Sequence, residues 1–320
     1  MKFLINATDV NGNSILLPTP VSMEVYASLD TPSNALVLTL PCLNPTAELT
    51  HIDVRVDGKL VFSGIVDEQT AAYCSKGCIL KINARSHSAL LIDNEAIPAT
   101  YHTPSLADIF SKHAKSYGIK GFLGDNGVCD CDFTVKKGVS EWEVIENFCR
   151  SVLKVNPLIT NDGFLDARVN RKSVHYTFSN NRNGDLKFTS AKVKRQRYGT
   201  LSQVAYKLAT HSDYIYACPN DDAVERKIIR RRLLNLSSNA PEFNEYRIKS
   251  TIQKSKADSF EITIEVPNVC ITELYSTADF SDALLGEFTG LCIKEYAFII
   301  KPSGVFSRIT LCPPENLKVL

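Results

Sequence analysis

The sequence predicts a mainly β protein interrupted by a small α/β insert. Three observations carry that reading. Apolar and polar residues alternate with period two over short stretches before residue 94 and after residue 170. Turn-forming residues punctuate those stretches at short intervals. Between the two regions the apolar period lengthens to that of helices, with capping residues in front. A chain of 320 residues has room for two or three compact units. The expected division is a first β-barrel over 1–93, an α/β insert over 94–170 and a second β-barrel over 171–320.

The first region supplies its strands in pairs. Ser22 to Leu29 and Ala35 to Leu40 flank a turn at Asp30-Thr31-Pro32-Ser33-Asn34. Ile52, Val54 and Val56 alternate with Asp53, Arg55 and Asp57, and Leu60, Phe62 and Gly64 resume the alternation. Asp57-Gly58 between them suits a type I′ turn, whose two central residues take φ > 0. Cys78 to Ala84 adds a strand. Short strands at this spacing suggest a closed or nearly closed barrel.

In the insert, Thr103-Pro104 reads as a helix start, a capping hydroxyl followed by proline in the first turn. Leu106, Ile109, Phe110 and His113 share one face, and Gly118 ends the helix. Ser140-Glu141-Trp142-Glu143 is a capping box for a second helix with Trp142, Ile145, Phe148 and Val152 along its apolar stripe. Short strands surround it at 133–135, 158–160 and 163–169. After residue 170 strands return at 174–178 and 260–266. Residues 186–197 and 201–209 read as a pair turned at Tyr198-Gly199-Thr200. Residues 290–300 and 305–311 close the second barrel.

Composition excludes whole classes. Apolar residues make up 44% and charged residues 22%, which is not a disordered chain, a coiled coil or a fibre. With 36 basic and 35 acidic residues, the whole molecule is no polyanion binder. The apolar run Phe3-Leu4-Ile5 is too short for a signal-peptide core. No stretch approaches the roughly 18 apolar residues of a membrane span. Synthesis in the cytoplasm, with no membrane partner, is the expectation. The ten cysteines then read as reduced, small apolar core residues, Cys149 and Cys292 most clearly.

The chain has no P-loop, Gly-x-Gly-x-x-Gly, His-Glu-x-x-His or Gly-x-Ser-x-Gly. No catalytic residue, cofactor or metal is assigned. His113 reads as a packing residue, and Asp162 and Asp166 as turn residues. Cys129-Asp130-Cys131-Asp132 and Cys74-x-x-x-Cys78 come nearest to metal-ligand spacing, but plain thiols are the preferred reading. Charge is uneven along the chain. The window 187–232 carries +7 and the remainder −6. That asymmetry suggests a basic face meeting an acidic partner, and Lys192, Lys194, Arg195, Arg197, Arg230, Arg231 and Arg232 are its candidate interface groups. No aromatic residues interleave them in the stacking manner, which favours a subunit interface over nucleic acid.

The stretch Arg85-Ser86-His87-Ser88-Ala89-Leu90-Leu91-Ile92-Asp93-Asn94-Glu95-Ala96-Ile97-Pro98, followed by the helix at 105–116 and Tyr117-Gly118, resembles the tail-tip hub proteins of contractile phage tails and phage-tail-like bacteriocins, the late-control D-type, Mu-like hub family. Val56 to Asp67 looks like that family's first-barrel hairpin, and Ala257-Asp258-Ser259-Phe260, Val266-Pro267 and Gly304 to Leu311 resemble its closing strands. Phe133 to Ile145 is similar to the start of a LysM module, with Val139 where an acidic residue is usual. The resemblance implies a fold of two tail-hub β-barrels with a small LysM-like α/β domain. It implies a non-enzymatic homotrimer in a contractile injection system, joining the hexameric tail tube to the trimeric central spike. Other baseplate proteins, a LysM-containing one and the tape measure among them, are further implied partners. The implied location is an assembled virion baseplate or tail-like particle. The alternatives are a tail-associated cell-wall hydrolase and a peptidoglycan-binding module.

Overall fold

Period-two alternation puts every second side chain of a strand on one face, and the first region follows that rule closely. The structure, a computed structural model, describes residues 2–41, 47–75, 77–171, 173–181, 184–236, 241–270 and 272–317. Strands β1 (Phe3–Asp9), β2 (Ser14–Leu17), β3 (Ser22–Ser28), β4 (Ala35–Pro41), β5 (Leu49–Val56), β6 (Lys59–Cys74) and β7 (Gly77–Ser86) lie in the antiparallel order β3-β4-β7-β6-β5-β1-β2. Ile5, Leu36, Leu38, Ile52, Val54 and Ile82 point inward to one apolar core. The β5–β6 turn forms as expected, with φ 47° at Asp57 and 84° at Gly58. Gly64 is required for another reason. A Cβ there would lie 2.1 Å from the carbonyl oxygen of Arg85, so only glycine lets β6 approach β7.

The insert contains α1 (Ala89–Asp93), β8 (Ala99–Tyr101), α2 (Leu106–His113), β9 (Gly121–Leu123), β10 (Phe133–Val135), α3 (Glu141–Phe148), β11 (Leu158–Ile159) and β12 (Phe164–Asp166). Leu91, Leu106, Ile109, Ile145, Phe148 and Leu165 form its own core. The Ser140 capping box forms as expected. The Glu143 N–H donates to Ser140 Oγ at 3.2 Å, and the Ser140 N–H donates to Glu143 Oε2 at 2.8 Å. The start of α2 differs from expectation. Thr103 is left-handed, φ 44°, and cannot cap. Ser105 caps instead, in a box with Asp108, so the helix begins two residues later than the Thr103-Pro104 reading. Gly118, φ 81°, ends the following 3-10 turn.

The last region holds β13 (His175–Ser179), β14 (Ser190–Arg195), β15 (Gln203–Leu208), β16 (Tyr216–Pro219), α4 (Asp221–Glu225), β17 (Arg231–Leu236), α5 (Pro241–Lys256), β18 (Phe260–Pro267), β19 (Thr277–Asp282), β20 (Gly286–Lys301) and β21 (Gly304–Cys312). Phe178, Ile262, Ile264, Phe280, Ile293 and Ile309 fill its core. The hairpin expected of 186–197 with 201–209 does not form. Among the described residues β14 pairs only with β18, while β15 pairs with β16 and β17 in a separate three-stranded sheet. Val204 and Leu236 find Ile248 of α5 as their apolar partner, and that local core draws β15 away from the large sheet.

Among the described residues the two β regions share one sheet of thirteen strands. β20 is the shared element. It pairs with β21 on one side and with β3 on the other, from Glu295 opposite Ser28 to Ile300 opposite Met23. Its early residues Leu291 and Ile293 enter the last region's core, and its later residues Phe298 and Ile300 enter the first region's core. Each such side chain contributes about 1.5–3 kcal/mol by burial. The architecture is mainly β, 48% strand against 17% helix, as the sequence predicts.

Candidate interaction surface

Lys294 sits where β20 passes from one core to the other, beside an irregularity in its pairing with β21. Only 4% of the residue is exposed. Its Nζ donates to Glu261 Oε1 at 2.8 Å and Asp258 Oδ1 at 3.0 Å, and lies 3.3 Å from Asp30 Oδ2. Burial alone pushes the ammonium pKa down. The Glu261 hydrogen bond, the Asp30 charge and the Asp258 hydrogen bond outweigh it and hold the pKa above the usual lysine range. Sequence reasoning missed this group. Its only trace is a Lys-Glu pair breaking the apolar run Leu291 to Ile300.

Two expected interface residues lie close by. Lys194 donates to Glu261 Oε2 at 2.9 Å, and Arg195 lies over Phe260 and Phe288 at 5.5 and 5.7 Å. Both are engaged within the chain. Lys192, on the same strand opposite Thr263, is exposed. Arg197 donates to the Lys227 carbonyl at 3.1 Å, and Arg230 donates to the Arg197 carbonyl at 2.8 Å. Arg231 and Arg232 stand opposite Gln203 and Val204 on β17, exposed.

The structure therefore gathers Arg197, Lys227, Arg230, Arg231 and Arg232 at one end of the small lobe that the β15–β17 sheet forms with α5. Sequence reasoning missed their apolar company. Ile229 is 95% exposed, Val224 53% and Leu233 49%. Among the described residues β17 is paired on one side only. An open strand edge, solvent-facing apolar side chains and basic residues thus lie side by side there, next to the acidic Asp221, Asp222 and Glu225 of α4. A groove of about 610 Å³ lies elsewhere, between the β3–β4 turn, the insert and α5. Asp30, Asp93, Glu95, Glu143 and Glu146 line it, against Arg150 and Lys254.

The insert holds a polar network of its own. His113 Nδ1 lies 2.5 Å from Glu141 Oε2, His113 Nε2 3.1 Å from the Tyr101 hydroxyl, and Tyr117 donates to Glu141 Oε1 at 3.0 Å. Burial, with Glu141 nearby, pushes both tyrosine pKa values up. His113 packs as expected, but it is also bonded at both nitrogens. His113 and Glu141 are each under a tenth exposed. Asp166, read as a turn residue, is a buried anchor. It accepts from Arg168 Nε at 3.0 Å and faces Arg171 Nε at 3.4 Å, while the Arg171 guanidinium covers the Tyr275 ring at 4.5 Å.

The core thiols behave as expected. Cys149, Cys292 and Cys312 are buried, and burial pushes Cys149 and Cys292 up to about 12. Cys129 Sγ and Cys131 Sγ lie 3.6 Å apart. Among the described residues no three His, Cys, Asp or Glu side chains converge on a metal site. Cys42 and the Cys74 side chain lie outside the described residues. Among those residues, too, no helix is long and apolar enough to cross a membrane.

No family model and no curated protein matches the chain. Solved structures do. The prophage MuSo2 tail protein from Shewanella oneidensis is 16% identical, with a TM-score of 0.81 over 99% of each chain. A tail protein from Neisseria meningitidis MC58 is 15% identical, with a TM-score of 0.79 over 99% of this chain and 98% of that one. A type VI secretion system component from E. coli, described as similar to the T4 tail proteins gp27 and gp5, has a TM-score of 0.58 at 7% identity, over 98% of this chain and 77% of that one. The β regions, the insert and the small lobe are thus arranged end to end as in solved tail proteins, and the chain has the phage tail-protein fold that its resemblance to tail-tip hubs implied.

Proposed function

We propose that this chain is a structural hub in the baseplate of a contractile tail or tail-like injection particle. It acts as a homotrimer that joins the hexameric tail tube to the trimeric central spike. One observation carries the reading: the match to a prophage tail protein leaves only about a hundredth of either chain unaccounted for. Two β cores in one chain also supply the arithmetic of an adaptor. Three chains around an axis present six β units, which can face a sixfold ring on one side and a threefold object on the other.

In this reading the basic lobe of one copy, Arg197 with Arg230, Arg231 and Arg232, meets an acidic face of the next. The groove lined by Glu95, Glu143 and Glu146 has the complementary charge. Cyclic symmetry repeats that unlike contact around the ring. The chain performs no hydrolysis and works as a baseplate part.

Native mass spectrometry of the chain co-expressed with its tube and spike proteins tests this. A threefold complex that binds both is expected, and a monomer that binds neither would sink the proposal. Reversing Arg231 and Arg232 to Glu together should weaken the ring at least about tenfold, the scale of two charge pairs at about 1 kcal/mol or more each. Loss of turbidity in a cell-wall suspension would favour the hydrolase instead.

A further inference from the structure

The segment from Gly124 to Asp132 does two things at once. Its first part covers the open N-terminus of α2. The Leu106 N–H donates to the Gly127 carbonyl at 3.0 Å, and the Ala107 N–H donates to Asn126 Oδ1 at 2.7 Å. The Cys129 N–H then donates to the Pro104 carbonyl at 2.9 Å, which pins that residue's backbone. Its second part brings two thiols into contact at 3.6 Å. Cys129 is buried and Cys131 is exposed.

We propose that Cys129 and Cys131 are a modification site, a dithiol that small-molecule disulfides oxidise to an intramolecular disulfide. Bond formation needs the sulfurs to close by about 1.5 Å, a movement within reach of side-chain rotation. The depression lined by Cys131, Ser151, Lys154 and Tyr246 gives a reagent access. The Cys131 thiolate attacks one sulfur of glutathione disulfide, whose S–S bond breaks and releases one glutathione thiolate. The Cys129 thiolate then attacks Cys131 Sγ, and the second glutathione leaves. Two thiols are oxidised by two electrons, one glutathione disulfide is reduced, and the two protons pass to the leaving thiolates. The other buried thiols stay out of this chemistry, because burial holds Cys149, Cys292 and Cys312 protonated. The proposal is independent of the baseplate reading.

The test uses the full chain with glutathione disulfide, followed by peptide mass mapping. The fragment between Lys120 and Lys136 should lose two hydrogens, at least about tenfold faster in the native chain than in urea. Cys131→Ser should abolish the loss, and Cys129→Ser should trap glutathione on Cys131. The site is overturned if the fragment keeps both thiols, if either cysteine pairs elsewhere, if glutathione lodges first on Cys129, or if closure is as fast in urea.

Discussion

Two joints hold the molecule together, and they are built differently. The joint between the β regions is a hydrogen-bonded ladder, β3 on β20, with side chains of one strand divided between two cores. The joint between the β regions and the insert is made of side chains. Arg85 clamps Asp67 and Asp93 at 2.7 and 2.6 Å, Asn34 donates to Asn161 at 3.0 Å, and Arg171 bridges Asp166 and Tyr275. A ladder of backbone bonds has one register and no partial states that keep both faces buried. Side-chain clamps can be lost singly, each at about 1–3 kcal/mol. The two β regions should therefore fail together, and the insert should be able to fail first.

The single tryptophan makes this measurable. Trp142 is buried in the insert, so its fluorescence reports the insert, while far-UV circular dichroism reports the β sheet. The largest effect is expected from Ala297→Pro. Ala297 sits between Tyr26 and Arg308, in the middle of the sheet, where proline is not accommodated. No folded protein should accumulate, and a soluble variant with an unshifted dichroism transition would mean the ladder is dispensable. Next is Lys294→Ala, which removes the buried ammonium shared by Asp30, Asp258 and Glu261 and leaves Glu261 to Lys194. It should cost about 3–5 kcal/mol in urea, with both probes moving together. A dichroism transition that stayed in place would show that the ionic cluster is ornamental to the ladder. Smaller again is Arg171→Ala, at about 2 kcal/mol, and it should move the Trp142 transition alone. Coincident shifts in both probes would erase the proposed difference between the joints.

Acid should act on the weaker joint. Burial raises the Asp166 pKa, but the hydrogen bonds and charge of Arg168, with the charge of Arg171, outweigh it and hold the carboxyl below its usual value. A depressed folded pKa means the stabilisation is present above the unfolded value of about 3.9 and is lost as pH falls through the folded value. The Trp142 transition should weaken in that acid window, and Asp166→Asn should remove the dependence. An identical acid profile in the variant would rule Asp166 out as the source.

Local chemistry was legible in the sequence and distant pairing was not. Asp57-Gly58 and the Ser140 box are complete within four residues, so their geometry is written where they stand. Pairing of Ser28 with Glu295 spans 267 residues and leaves no local mark. The same holds for Lys294, whose partners Asp30 and Asp258 come from separate loops. Residues 201–209 read as half of a hairpin because their alternation says strand without saying which partner. The basic residues were found by counting charge, but the exposure of Ile229 beside them follows from a lobe that the alternation did not reveal.

The placement of Phe298 and Ile300 in the first core has a consequence for the newborn polypeptide. The N-terminal strands leave the ribosome long before the residues that seal them exist. Until residue 300 emerges, their interior stays open on one flank, a surface that chaperones would have to shield. Translation halted anywhere before β20 would yield a product whose first core lacks Phe298 and Ile300.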